Sequence, residues 1–209
     1  MKPQDVTCKA LKNRINKNNL KNLKSLKQFI ESYISITNEE WNTISSCFEK
    51  RIIEKDEIIL EEGKICKYLY FIESGLLHFY VNKNGNEITK FFTDAPYLFT
   101  SQVSFNSQKP TLENIQAIEK SIIYQISYEK SNELFQLKSW NEFGRKITQE
   151  VQFFTEQILE QLQTETAENR YQSMQKNNPE LLERIPLKYL ASFLGIAPQS
   201  LSRIRKKLQ

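Results

Sequence analysis

Residues 51 to 92 read as four short runs rich in Ile, Leu, Tyr and Phe: "RIIEKDEIILEEG", "KYLYFIESG", "LLHFYVNKNG" and "NEITKFF". Gly63, Gly75 and Gly85 punctuate them at intervals of twelve and ten residues. Turn signals at that spacing join strands directly and leave no room for the crossover helix of a βαβ unit, so they predict an antiparallel barrel or sandwich. "NKNG" reads as a hairpin turn with Gly85 at positive φ. A later run, "SIIYQIS" (Ser121 to Ser127), closes the β region. The stretch between, "TDAPYLFTSQVSFNSQKPTLENIQA", reads as irregular and is the natural place for a ligand loop.

Helical patterns flank this core. Upstream, Phe29, Ile30, Tyr33 and Ile36, then Trp41, Ile44 and Phe48, fall at helical spacing in two short helices. "TNEE" between them is a capping box, with Thr37 as cap and Glu40 reaching back. Downstream, from Ser139 to about Glu168, the residues Phe143, Ile147, Val151, Phe154, Ile158 and Leu162 step by four, four, three, four and four. This is one narrow apolar seam on a helix of roughly 30 residues, about 45 Å at 1.5 Å per residue. It outruns a small barrel, so the six residues are expected to form a homodimer interface.

The charge distribution points to a polyanion. Met1 to Lys24 holds seven Lys/Arg against one Asp, a net +6, and Arg184 to Gln209 holds six basic residues and no acidic one, another +6. The whole chain sums to +4, so the middle carries −8. The N-terminal stretch "KNRINKNNLKNLK" is low-complexity Lys/Asn, expected to be a flexible arm over residues 1–24. No apolar run approaches bilayer length, and the polar N-terminus shows no signal peptide, so no membrane contact and a cytoplasmic location are expected. Cys8, Cys47 and Cys66 are too few and too scattered for a disulfide framework or a metal or iron–sulfur ligand set.

The last stretch, "IPLKYLASFLGIAPQSLSRIRKKLQ", is small and cationic. Leu187, Leu190, Ala191 and Leu194 form one helix face, and Gly195 supplies a tight turn. Ile196 plugs the gap behind it, and Pro198 opens a second helix whose Leu201, Ile204 and Leu208 face inward. Gln199, Ser202, Arg203 and Lys206 lie opposite, with Arg205 and Lys207 on the flanks. This pattern predicts a helix-turn-helix, whose second helix enters a DNA major groove. A hairpin built for packing alone needs no exposed cationic face.

The order of two helices, glycine-punctuated strands, long helix and helix-turn-helix resembles the Crp/Fnr family of bacterial transcription regulators, over roughly Leu26 to Gln209. The segment "TAENRYQSMQKNNPELLERIPLKYLASFLGIAPQSLSRIRKKL" is especially similar. The resemblance implies an α+β protein: an antiparallel β-roll of double-stranded, jelly-roll type over 25–138, a dimerisation helix over 139–168 and a DNA-binding domain over 169–209. It places Gln199 and Arg203 on the sites that read base edges, a role both residue types suit. Ser200 and Ser202 are further DNA contacts on the same helix, and Lys188, Arg205, Lys206 and Lys207 are assigned to phosphates. Double-stranded DNA, a second copy of the chain, RNA polymerase and an unnamed small-molecule effector are the partners expected.

The ligand site departs from the family pattern. Members that bind cyclic AMP carry a Gly-Glu pair and an Arg-Ser/Thr pair in the loop before the last strands. "PYLFTSQVSFNSQKPTLENIQA" has neither the Gly-Glu nor any arginine. Phe99, Ser101, Lys109 and Thr111 are the candidate effector-pocket residues, yet a lysine lacks the planar fork of arginine. Cyclic nucleotide is therefore disfavoured, and no cofactor or metal is assigned. Phe91, Phe92, Tyr97, Phe99 and Phe105 read as roll core ahead of walls for an apolar ligand. His78, the sole histidine, reads as structural, and nothing assembles an acid, a base and a nucleophile, so no enzyme is expected. The competing reading is a ligand-binding module that acts through a protein partner and does not bind DNA.

Overall fold

The computed structural model describes residues 23–208. The expected basic arm, apart from its last two residues, and Cys8 lie outside the described residues. Two helices open the fold, α1 (Lys24–Glu31) and α2 (Asn38–Ser46). The capping box at the start of α2 forms as expected: the Glu40 backbone N–H donates to Thr37 Oγ1, and Glu40 Oε2 accepts from the Thr37 N–H.

Eight strands follow: β1 (Glu49–Ile53), β2 (Ile58–Leu60), β3 (Tyr68–Ser74), β4 (Leu76–Lys83), β5 (Asn86–Asp94), β6 (Tyr97–Phe99), β7 (Asn114–Ala117) and β8 (Ser121–Ser127). They form two antiparallel sheets ordered β1-β8-β3-β6 and β2-β7-β4-β5, a β-roll. Asn84 (φ 53°) and Gly85 (φ 79°) make the two-residue β4–β5 turn, whose paired positive φ values match the strand twist. Gly75 alone separates β3 from β4, and there the chain passes from one sheet to the other.

The segment read as irregular is more ordered than its sequence announced. It contains β6, a short helix α3 (Gln102–Ser107) and β7. β6 pairs with β3, and β7 with β2 and β4, so their order comes from partners distant in sequence.

Both sheets are covered on both faces. Ile53, Tyr70, Ile72, Leu77, Phe79, Ile115 and Ile123 fill the space between them. Outside the first sheet, Phe71, Tyr124 and Ile126 pack under α1, α2, α4 (Tyr128–Leu134) and the start of α5 (Lys138–Thr164). Outside the second, Leu76, Ile118 and Phe92 meet the C-terminal helices α6 (Ala167–Asn177), α7 (Pro179–Arg184), α8 (Leu187–Leu194) and α9 (Pro198–Lys207). This explains why Leu76 to Tyr80 are all buried and why β4 shows no alternation.

The long helix ends earlier than expected. Glu165 is extended (φ −114°, ψ 146°), and the Thr166 side chain accepts from the Asn169 N–H to cap α6. Among the described residues no helix is long and apolar enough to cross a membrane.

Candidate nucleic-acid interface

The α8–α9 unit is built by local chemistry. Gly195 takes φ +72°, a left-handed conformation that glycine adopts without strain. Its N–H donates to the Ser192 carbonyl and that of Ile196 to the Ala191 carbonyl, closing α8. Ala197 holds the extended N-cap position of α9 with no side-chain cap, and Pro198 follows at the first helical position. Ala191 and Leu201 are fully buried where the two helices meet.

The eight residues picked from sequence divide into two sets. Gln199, Ser202, Arg203 and Lys206 share an exposed face of α9. Among the described residues, Gln199, Arg203 and Lys206 make no side-chain hydrogen bond or ion pair. Ser202 Oγ donates back to the Pro198 carbonyl at 3.0 Å. The other four have surroundings within the chain. Ser200 is half-buried. The Arg205 guanidinium lies 5.8 Å from the Tyr171 ring centre. Lys207 Nζ is 2.7 Å from Glu168 Oε1, an exposed pair of small energetic weight. Lys188 lies over the Tyr189 ring at 4.3 Å and 3.9 Å from Glu87, on the roll side of α8. The Lys188 side chain is 65% exposed, so this long pair leaves most of it in solvent.

Sequence reasoning missed what fastens this unit to the roll. Arg184 donates to Asp94 Oδ1 (2.8 Å), to Glu119 Oε1 (2.6 Å) and to the Gly75 carbonyl (3.0 Å). Ser192 Oγ donates to the Glu87 carbonyl and accepts from the Thr89 N–H, both at 3.0 Å. Beneath Tyr189, at a ring distance of 4.1 Å, lies His78, fully buried, with Nε2 2.8 Å from Thr89 Oγ1. Burial, with a smaller contribution from the Lys188 charge, pushes the His78 pKa down to about 4, so it is neutral near pH 7. No sequence spacing links residue 184 to residues 75, 94 and 119.

The four effector-pocket candidates differ in their surroundings. Phe99 is buried and stacks on Tyr70 at 4.9 Å. Ser101 and Thr111 are buried and hydrogen-bonded to each other at 3.0 Å. Lys109 is exposed, and its carbonyl accepts from Ser104 Oγ. The buried hydroxyls of this loop thus satisfy one another. Glu113 is ion-paired with Lys90. Among the described residues, no group of three or more His, Cys, Asp or Glu is placed to hold a metal.

The α5 seam also divides, and the expectation of one continuous interface is corrected. Phe143 is 1% exposed, packed among Phe29, Tyr33 and Trp140 of its own chain, and Ile147 lies against the same cluster. Val151 and Ile158 are half-buried. Phe154 and Leu162 are exposed, joined by Phe153 and Leu159, which lay off the stepped seam. The first turns of α5 belong to the roll, and the later turns present an unpartnered apolar surface.

With this geometry, residues 50–138 match the family model of the cyclic nucleotide-binding domain. Three solved structures share the wider fold. A Eubacterium rectale protein assigned to the Crp/Fnr family of transcriptional regulators aligns with TM-score 0.67 and 16% identity, over 85% of this chain and 88% of its own. The c-di-GMP-responsive global regulator CLP of Xanthomonas campestris aligns with TM-score 0.64 and 15% identity, over 83% and 92%. The catabolite activator protein of Thermus thermophilus aligns with TM-score 0.54 and 20% identity, over 84% and 85%. The sequence matches none of the curated proteins with which it was compared.

Proposed function

We propose that this chain is a sequence-specific DNA-binding transcription regulator that acts as a homodimer, with an effector-sensing roll that has lost the standard cyclic AMP site. The observation that carries the reading is the open α9 face. Gln199, Arg203 and Lys206 stand exposed on one short helix and, among the described residues, make no side-chain hydrogen bond or ion pair. A helix packed only for stability has no use for such a face. Arg203 is assigned to a base edge and Gln199 to its neighbour, with Lys206 on phosphate. Arg205 and Lys207 also suit the last turn of α9, where cations complement the helix dipole.

The test is Arg203→Ala, titrated against the DNA upstream of its own gene across a range of salt. A lost Arg–guanine pair costs about 1–3 kcal/mol per half-site, so specific affinity should fall at least tenfold while circular dichroism is unchanged. Lys206→Gln should instead weaken specific and random DNA alike and flatten the salt slope. If Arg203→Ala binds the operator as tightly as the parent, the base-reading assignment is wrong. If the parent binds no DNA specifically, the protein-partner module becomes the reading.

Dimerisation is assigned to the exposed turns of α5, whose Phe153, Phe154, Leu159 and Leu162 leave an apolar stripe in water on one chain. The double change Phe154→Glu and Leu162→Glu should yield a folded monomer by light scattering, with operator affinity reduced at least tenfold through loss of the second half-site. A dimer that survives both charges would place the interface elsewhere. The proposed response to effector is a shift of the two long helices that changes recognition-helix spacing, which must lie near one DNA turn of about 34 Å.

A further inference from the structure

The roll has a second opening, beside the α3 loop and lined by none of the α9 residues. Edge strands β1 and β2 of the two sheets adjoin there, and the groove between them encloses about 370 Å³. Tyr70 lies at its inner end. The residue is 2% exposed and its ring is packed on Phe99, while its hydroxyl opens on the groove and makes no hydrogen bond among the described residues. Tyr68 continues the aromatic surface, ring centres 6.0 Å apart, and Ile58 and Ile65 expose apolar side chains beside it.

Cations ring this apolar surface. Lys64 and Lys67, from the β2–β3 loop, form no ion pair among the described residues. Arg51 uses one guanidinium nitrogen on Glu57 at 2.7 Å, and its remaining donors make no side-chain hydrogen bond among the described residues. Of the three lining cations Arg51 is paired with Glu57, and one lining carboxylate, Glu61, opposes Lys64 and Lys67. Aromatic rings, exposed isoleucines, cationic donors and a phenol hydroxyl open to the groove together match one ligand chemistry.

We infer that this groove binds a small aromatic anion, a flat ring system bearing a carboxylate or phosphate. Its ring lies against Tyr68, Ile58 and Ile65, its anionic group takes Lys64, Lys67 and the free side of Arg51, and Tyr70 donates its O–H. Glu61 accepts a ring amine or hydroxyl. Burial raises the Tyr70 pKa, so the hydroxyl keeps its proton for donation.

This inference deepens the sensing role proposed for the roll and gives the effector a seat other than the inner loop. The seat is wired to that loop: the Gly63 N–H donates to the Thr111 carbonyl, the Thr111 N–H donates to the Lys64 carbonyl, and Ile65 bridges Pro110. An occupant holding Lys64 and Tyr70 therefore pulls on Thr111 and Phe99 at either end of the α3 segment.

The experiment is calorimetric titration of the full chain with benzoate, indole-3-carboxylate and adenosine 5′-monophosphate, beside neutral indole and adenosine. At least one anion should saturate with a Kd on the order of 0.1–1 mM, a normal affinity for so small a ligand, and its neutral counterpart should bind at least tenfold more weakly. Tyr70→Phe, which keeps the ring, should weaken the anion about tenfold, as should the exposed pair Lys64→Gln with Lys67→Gln. Arg203→Ala should bind it unchanged, which separates failure here from failure of the DNA reading. The carboxylate and phosphate probes distinguish the two head groups. The inference falls if none of the three anions binds below about 10 mM, if neutral indole matches its carboxylate, or if the variants bind like the parent.

Discussion

Gly75→Ala should lower the melting temperature by roughly 10 °C, the largest effect expected of any single methyl group added to this chain. Gly75 sits at φ +110°, where an L side chain is strained by about 1–3 kcal/mol. Its added Cβ would also lie 2.1 Å from Ser121 Oγ, 2.6 Å from Ser121 Cβ and 2.8 Å from Ser121 Cα. The Oγ alone can rotate, but the Cα belongs to the first residue of β8, paired with Ile53. Relief therefore means moving a central strand away from the corner where the chain changes sheets, an overpacking cost of about 1–3 kcal/mol more. The sum, about 2–6 kcal/mol, converts at about 2–4 °C per kcal/mol for a chain this size. Gly63→Ala and Gly85→Ala are the controls: both have positive φ, but an added Cβ meets nothing within 4 Å. Each should cost only about 1–2 kcal/mol. Thermal unfolding of the three variants decides the matter. Equal losses would mean that the close approach of Gly75 and Ser121 is not a feature of the folded protein.

That contrast also marks how far the sequence could be read. The three glycines look alike in a string of letters, and their common place at a turn was legible, as was positive φ at Gly85, because these depend only on neighbours. The same holds for the Thr37–Glu40 capping box and for Gly195 and Pro198 in the α8–α9 turn. Each is local chemistry complete within a few residues. What escaped needs partners far along the chain. Residues 114–117 become a strand because β4 and β2 flank them. Phe143 and Phe154 occupy equivalent seam positions, yet Phe143 is buried by Phe29 and Tyr33, which lie on and just after α1 and over a hundred residues away. Of the candidate site, the α9 face was readable because amphipathic spacing separates its charged side from Leu201 and Ile204. The Arg184 contacts and the groove at Tyr70 were not, since each joins residues far apart in the chain.

Arg184→Ala should release the C-terminal helices from the roll while leaving the roll folded. The guanidinium bridges Asp94 at the end of β5, Glu119 before β8 and the Gly75 carbonyl, and its removal leaves two carboxylates and a carbonyl without their shared donor. The three side chains are about a third exposed, so solvent screens part of the loss, and about 1–3 kcal/mol of docking energy is the reasonable scale. Hydrogen exchange, corrected for intrinsic rates, should show protection of α8 and α9 amides falling about 10- to 100-fold, with those of β3, β4 and β8 unchanged. Acid should act on the same junction through His78. Its neutral form is favoured when docked, with Thr89, Tyr80, Phe92, Tyr189 and Lys188 around it, and its pKa there is about 4 against an ordinary 6.5. Undocking exposes the ring and raises that pKa toward 6.5. Docking is therefore at full strength above pH 6.5 and weakens as pH falls toward 4, by up to about 1.4 kcal/mol per unit. Arg184→Ala should move the onset of α8 and α9 exchange to higher pH, and His78→Phe should flatten its pH dependence. If α8 and α9 keep their protection in Arg184→Ala at pH 5, Arg184 and His78 do not govern how the helices that carry the α9 face are held.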